Sequence, residues 1–328
     1  YDFGTFPSGA STDKTFTVTN SGGTNATAVT GGGLASPFSY KGGSYPGTGG
    51  TCAATVNSGA SCTVVVTYAP VSIAAHSSSI DINYNNGLNA VSAVRAVAGT
   101  GVSPASLAIS DGTTFDFGLQ PIGKTVDKTF TVTNSGGFGA SGLAGSGLAA
   151  PFTFKGGSFP GTGGSCAATL AASATCTFVV SYNVGAAVAS TDTIDLSYND
   201  GVNAQISSRD IMGTGVTAAL LAISDGPGYD FGPVATGDVA EYALTVTNTG
   251  TFTATAMRGS GLAAPFTFKG GTYPGTGGTC GGALAGGGSC TVVVRFAPVS
   301  TGTQSATMNL SYNNGVSVQS SSRALQGI

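Results

Sequence analysis

Apolar and polar positions alternate with a period of two through much of this chain, in short runs broken by glycine, asparagine and aspartate. In Thr129-Phe130-Thr131-Val132-Thr133 the apolar side chains fall on one face and the threonines on the other, the pattern of a strand buried on one side. Cys176–Tyr182 is a denser apolar run and predicts the strongest strand of its region. Leu107–Ile109 and Phe115–Phe117 read as shorter strands, and Thr193–Tyr198 with Ala204–Met212 as a hairpin. Asp111-Gly112, Asn134-Ser135-Gly136-Gly137 and Asn199-Asp200-Gly201 separate them with turn chemistry. Leu143–Leu148 fits no template cleanly. At the hairpin, a two-residue turn would set Gln205 opposite Leu196; a three-residue loop with Gly201 left-handed sets Ala204 and Ile206 there and suits burial better. No stretch keeps a helical period beyond two turns. The pattern predicts an all-β chain of immunoglobulin-like antiparallel β-sandwiches. The absence of any Trp separates it from antibody domains with their core tryptophan.

The whole pattern recurs. Lys41-Gly42-Gly43-Ser44-Tyr45-Pro46-Gly47-Thr48-Gly49-Gly50-Thr51-Cys52 returns at Lys155–Cys166 and Lys269–Cys280, each time 114 residues on. Asp2-Phe3-Gly4 returns at the same step as Asp116-Phe117-Gly118 and Asp230-Phe231-Gly232. Three tandem domains follow, at 1–102, 103–216 and 217–328. Copies two and three carry a strand-like lead, Ala105–Ser110 and Ala219–Ser224, ahead of that point, and copy one opens at Tyr1-Asp2-Phe3. The expectation is a piece of a longer chain, with further repeats of the same parent. The joints Gly99–Pro104 and Gly213–Val216 are too short for free linkers, which predicts an elongated array.

Charge narrows the partners. Only 8% of the 328 residues are charged and the net charge is −3, too weak a field to gather nucleic acid or anionic lipid. No apolar run of about 20 residues is present to span a bilayer.

Six cysteines form three Cys-x9-Cys pairs: Cys52/Cys62, Cys166/Cys176 and Cys280/Cys290. That spacing suits a hairpin with the two sulfurs opposed. Zinc is the competing reading, but it wants about four ligands and one copy offers two Cys and no repeated His; reduced structural thiols are the other. Disulfides would place the chain in an oxidising compartment, outside the cell or on its surface.

Asp-Phe-Gly, Thr15-Phe16-Thr17-Val18-Thr19-Asn20-Ser21-Gly22-Gly23, the Cys52/Cys62 pair running on through Tyr68-Ala69-Pro70, and the closing Gly99-Thr100-Gly101 together resemble the bacterial choice-of-anchor D repeats. These belong with the ASPM-SPD2-Hydin immunoglobulin-like domains. The resemblance covers all three copies; copy two departs at Tyr182-Asn183-Val184, where the Ala-Pro is missing. It implies a repeat of large secreted or surface-anchored bacterial proteins, used for adhesion or as a stalk, and brings no catalytic residues.

The residues themselves offer little chemistry. His76 aligns with Ser190 and Gln304, so no Ser-His-Asp triad can recur. Asp81 and Asp195 align with Asn309, so no carboxylate pair recurs beside Asp2, Asp116 and Asp230. Asp111 with Asp116, and Asp225 with Asp230, are thin for calcium, which wants six to eight oxygens. The candidate ligand contacts are Tyr45, Phe159 and Tyr273, one aromatic per Gly-rich loop. They are either displayed for a glycan or protein or folded back over the sandwich end. Lys41, Lys155 and Lys269 read as solvated or paired with a carboxylate. The function expected is a non-enzymatic structural or adhesive segment without cofactor or metal, meeting a protein or glycan on another surface. The alternatives are a glycan- or protein-binding module using the aromatic loops, and a non-catalytic appendage of a secreted hydrolase.

Overall fold

The computed structural model describes residues 1–328. Every regular element is a strand, so no helix is long and apolar enough to cross a membrane. The strands form six sheets, two per copy. In copy two, one sheet holds Thr114–Pro121, Ala204–Val216, Ala189–Asn199, Ala140–Ser146 and Thr169–Leu170, in that spatial order. The facing sheet holds Phe152–Phe154, Thr175–Asn183, Thr125–Asn134 and Leu107–Ile109. Copy three repeats the five-plus-four arrangement; copy one has five strands and three.

The alternation read from the sequence places the core. Phe130, Val132, Phe178 and Val180 are fully buried between the sheets, with Ile194 and Leu196 facing them. Phe152 stacks on Tyr182 with ring centroids 4.8 Å apart. The stretch 143–148 resolves as the end of the strand Ala140–Ser146, whose register shifts between Ser141 and Ala144. One pair per copy is parallel rather than antiparallel: Thr114–Pro121 runs with Ala204–Val216. Asp116 sits where that register shifts, and its carboxylate accepts the Gly118 amide at 2.7 Å.

The hairpin differs from expectation. Asn199 pairs with Ala204 and Leu196 with Ser207, so the loop has four residues and Ile206 faces solvent, 67% exposed. Side-chain capping outweighs the burial of one isoleucine. Asp200 Oδ1 accepts the amides of Val202 and Asn203 at 2.8 and 2.7 Å, and Asn199 Oδ1 accepts that of Gly201. The inward face of this strand therefore carries Ser207 and Arg209 ahead of Ile211.

Candidate functional site

The cysteines pair as spaced: Cys52–Cys62, Cys166–Cys176 and Cys280–Cys290, with Cα atoms 4.7, 4.8 and 4.9 Å apart. The geometry is not a plain two-stranded hairpin. Cys176 lies on the strand Thr175–Asn183, and Cys166 lies on irregular chain whose amide donates to Thr177 O. The following Thr169–Leu170 crosses to the opposite sheet. Each disulfide is buried and ties the end of the Gly-rich loop into the core.

That loop runs along the outer edge of the strand Thr175–Asn183. Lys155 N donates to Val179 O at 2.9 Å and Val179 N to Pro160 O at 2.8 Å, satisfying an edge left open beyond Phe152–Phe154. Its aromatic turns inward. Phe159 stands edge-on to Phe154 at 5.5 Å, as Tyr45 does to Tyr40 at 5.5 Å and Tyr273 to Phe268 at 5.9 Å. All three rings are half-buried and packed against their cores. The contact requires glycine on the opposite sheet: a Cβ at Gly145 would stand 2.3 Å from Phe159 Cδ2, and Gly31 and Gly259 are equally close to Tyr45 and Tyr273. Burial pushes the Tyr40 hydroxyl up to about 12, with Tyr45 and Asp81 adding to it, and raises Tyr45 as well. Of the two orientations left open by the sequence, the rings take the folded-back one, packed edge-on against the neighbouring core aromatic.

The loop lysines are paired. Lys41 meets Asp13 at 2.8 Å, Lys155 meets Asp127 at 2.7 Å and Lys269 meets Glu241 at 2.7 Å, anchoring the loop across the strand it borders. The Lys41 ammonium holds Asp13 below its ordinary range, with Thr67 adding a hydrogen bond; Lys155 and Ser181 do the same for Asp127. A carboxylate lowered on folding stabilises the native state above its unfolded pKa, and that stabilisation is lost as pH falls through the lower folded value. The loops of copies one and two should therefore loosen below about pH 4. Amide exchange at Gly43, Thr48, Gly157 and Thr162, whose N–H groups close the loop by hydrogen bonds, followed from pH 6 to pH 3 and corrected for intrinsic rates, should show protection lost at the acid end. Unchanged protection would remove the ion pairs from the account.

The remaining candidates do not converge. His76 is held between the Tyr68 hydroxyl and Ser72, each at 3.0 Å. Asp111 pairs with Lys128 at 2.9 Å, whereas Asp116 caps its own turn. No group of three or more His, Cys, Asp or Glu side chains forms anywhere.

Sequence reasoning placed the joints but missed the contacts that close them. Ser103 Oγ accepts the Gly137 amide at 2.8 Å, and Ala105 N donates to Asp200 O at 2.9 Å. At the second joint Thr217 and Thr251 exchange hydrogen bonds and Phe252 N donates to Thr217 O at 2.9 Å. Strands Ala90–Val102 and Ala204–Val216 thus pass directly into chain already bonded to the next copy. Beside them, Pro7 closes on the next copy's hairpin loop: a Cβ at Gly201 would lie 2.8 Å from Pro7 Cγ and 2.6 Å from Phe138. Pro121, Gly315 and Phe252 repeat the arrangement at 2.7 and 2.6 Å. The signal was available, since Pro7/Pro121, Phe138/Phe252 and Gly201/Gly315 all recur at 114 residues.

A family model described as the HYDIN/CFA65/VesB-like, Ig-like domain matches residues 1–97 and 225–327, together more than half of the chain. The chain belongs to this family. It is made of tandem Ig-like repeats of the HYDIN/VesB type. Among solved structures it is similar to the VesB protease of Vibrio cholerae, at 17% identity and a TM-score of 0.28 over 34% of this chain and 32% of the protease. It spans about a third of that protein's length. The ASH / PapD-like domain 7 of human CEP192 is 20% identical over 34% of this chain and 84% of that one, with a TM-score of 0.26. A three-domain I-band fragment of titin aligns over 99% of this chain and 95% of its own, at 9% identity and a TM-score of 0.34. Comparison with curated protein sequences yields no match.

Proposed function

We propose that this HYDIN/VesB-type array is a non-enzymatic spacer, a structural or adhesive segment of a larger bacterial surface or secreted protein that holds something at a distance. The observation that carries it is the pair of joints, where no residue is left free between one copy's last strand and the next copy's first hydrogen bond. A joint anchored directly after its last strand, by the Ser103 hydroxyl at the first and by the backbone and hydroxyl of Thr217 at the second, with a proline seated on the neighbouring turn, resists bending. The buried disulfides suit an oxidising compartment, and a site outside the cell or on its surface follows as part of the proposal. The inward-facing aromatics of the Gly-rich loops weigh against a sugar-stacking module.

Small-angle scattering tests this. Three sandwiches end to end, each roughly 35–40 Å long at about 3.3 Å per strand residue, give a particle of about 100 Å. A pair-distance curve with the width of one sandwich and that length supports a spacer; a compact particle overturns it. Pro7→Gly with Pro121→Gly removes both closing contacts and should broaden the distribution of lengths.

A further inference from the structure

The last hairpin of each copy turns on Asn85-Asn86-Gly87, Asn199-Asp200-Gly201 and Asn313-Asn314-Gly315. Copies one and three therefore carry Asn-Gly, an amide side chain followed by an unhindered main-chain nitrogen, where copy two carries Asp-Gly. In an unfolded chain such a pair loses ammonia. The glycine nitrogen gives up its proton and attacks the asparagine Cγ. A C–N bond forms, the Cγ–Nδ2 bond breaks and ammonia leaves. The cyclic imide then takes up water at either carbonyl and opens to aspartate or isoaspartate.

The fold ties both reacting groups elsewhere. The nucleophile is held by the residue before it: Gly87 N donates to Asn85 Oδ1 at 2.8 Å, and Gly315 N to Asn313 Oδ1 at 2.7 Å. The electrophile is held by the residues after it. Asn86 Oδ1 accepts the amides of Leu88 and Asn89, and Asn314 Oδ1 those of Val316 and Ser317, all at 2.9 Å. Ring closure has to break these bonds before the nitrogen can reach Cγ.

Copy two shows the product in place. Asp200 Oδ1 accepts the amides of Val202 and Asn203 as the two asparagines do, and its second oxygen accepts Gln205 Nε2 at 2.9 Å. Gln319 stands at the equivalent place in copy three. It donates to Ser317 Oγ at 2.9 Å instead, because the free end of the Asn314 amide is a donor and offers it no acceptor. Copy one has Val91 there.

We propose that Asn86 and Asn314 are deamidation sites, that Asn85 and Asn313 guard them by holding the attacking nitrogen, and that the turn accepts the aspartate product without loss. In copy three Gln319 is placed to take the new carboxylate oxygen as Gln205 takes that of Asp200. Each conversion adds a negative charge to a chain whose net charge is −3. Copy two, with aspartate already present, is the inert member of the set, since an ionised carboxylate is a poor electrophile. This goes beyond the spacer reading and stands whether or not that reading does.

The test follows ammonia release and the mass gain of about 1 Da at each site, in the intact chain at mildly alkaline pH. Synthetic peptides with the sequences of Tyr84–Ala90 and Tyr312–Val318 give the unguarded rates. The folded sites should react at least about tenfold more slowly than the peptides. Asn85→Ala should speed Asn86 roughly fivefold and leave Asn314 alone, and Asn313→Ala should do the converse. Asn313→Asp keeps an acceptor for the glycine nitrogen and should stay slow. Asn314→Asp should melt with the unaltered chain or above it. The proposal is overturned if the folded sites match the peptides, or if either alanine variant leaves its own site unmoved or speeds both sites alike. It is also overturned if Asn313→Asp reacts as fast as Asn313→Ala, or if Asn314→Asp lowers the melting of the third module.

Discussion

Replacement of Asn134 by alanine is expected to destabilise the middle module by roughly 4 kcal/mol, enough to separate its unfolding from that of its neighbours. Asn134 is fully buried. Its Nδ2 donates to Phe138 O, Leu170 O and Ala171 O at 2.8 to 3.2 Å, and its Oδ1 accepts the amides of Ser106 and Gly136. One side chain therefore joins three separate stretches of backbone at one end of the sandwich, at Ser106, Gly136–Phe138 and Leu170–Ala171. Alanine leaves at least two of those groups buried without a partner, at about 1–3 kcal/mol each. Aspartate at the same position keeps the acceptor and loses the donor, and buries a charge as well, so it should do no better. Calorimetry on the intact chain reads the outcome as a separate low-temperature transition; a single unsplit transition would contradict this role.

Removal of the disulfides is the second large effect. Each closes a loop with a sequence separation of 10, for which chain entropy gives about 2.7 kcal/mol. For modules of this size that corresponds to a drop of roughly 10–20 °C in melting temperature. The Cys166→Ala/Cys176→Ala pair should lower the middle module by that amount and leave the outer two in place. Reductant should lower all three. If melting is the same with and without reductant, the sulfur bridges contribute nothing and their support for an oxidising compartment falls with them.

The residues show why some of this was legible and some was not. Thr129–Thr133 declared its faces because a strand buried on one side imposes alternation locally, and the nine residues between Cys166 and Cys176 are enough for the chain to turn back and oppose the two sulfurs. The hairpin register was hidden because it is decided by Asp200, whose carboxylate caps a four-residue loop more favourably than Ile206 is buried. The direction of Phe159 was hidden for a different reason. It depends on the missing side chain at Gly145, which lies in the stretch whose pattern was least clear and on the opposite sheet. The joints depend on residues almost two hundred positions apart, Pro7 and Gly201, and they emerge only when the copies are laid over one another.

Candidate acids, the single histidine and the lysines are each consumed by a local bond: Asp116 by its turn, His76 by Tyr68 and Ser72, Lys155 by Asp127. What recurs in every copy is the disulfide, the inward ring and the loop ion pair, and all three serve to hold the Gly-rich loop against its strand.

The stiffness of the joints is best read from one distance measurement. Spin labels carried on noncanonical residues at Ser44 and Ser158, both exposed on equivalent loops of successive copies, should report a single narrow peak near one module length, about 35–40 Å. A broad or multiple-peaked distribution would mean that the copies swing freely about the Pro7–Gly201 contact, and a chain that swings there cannot serve as a strut.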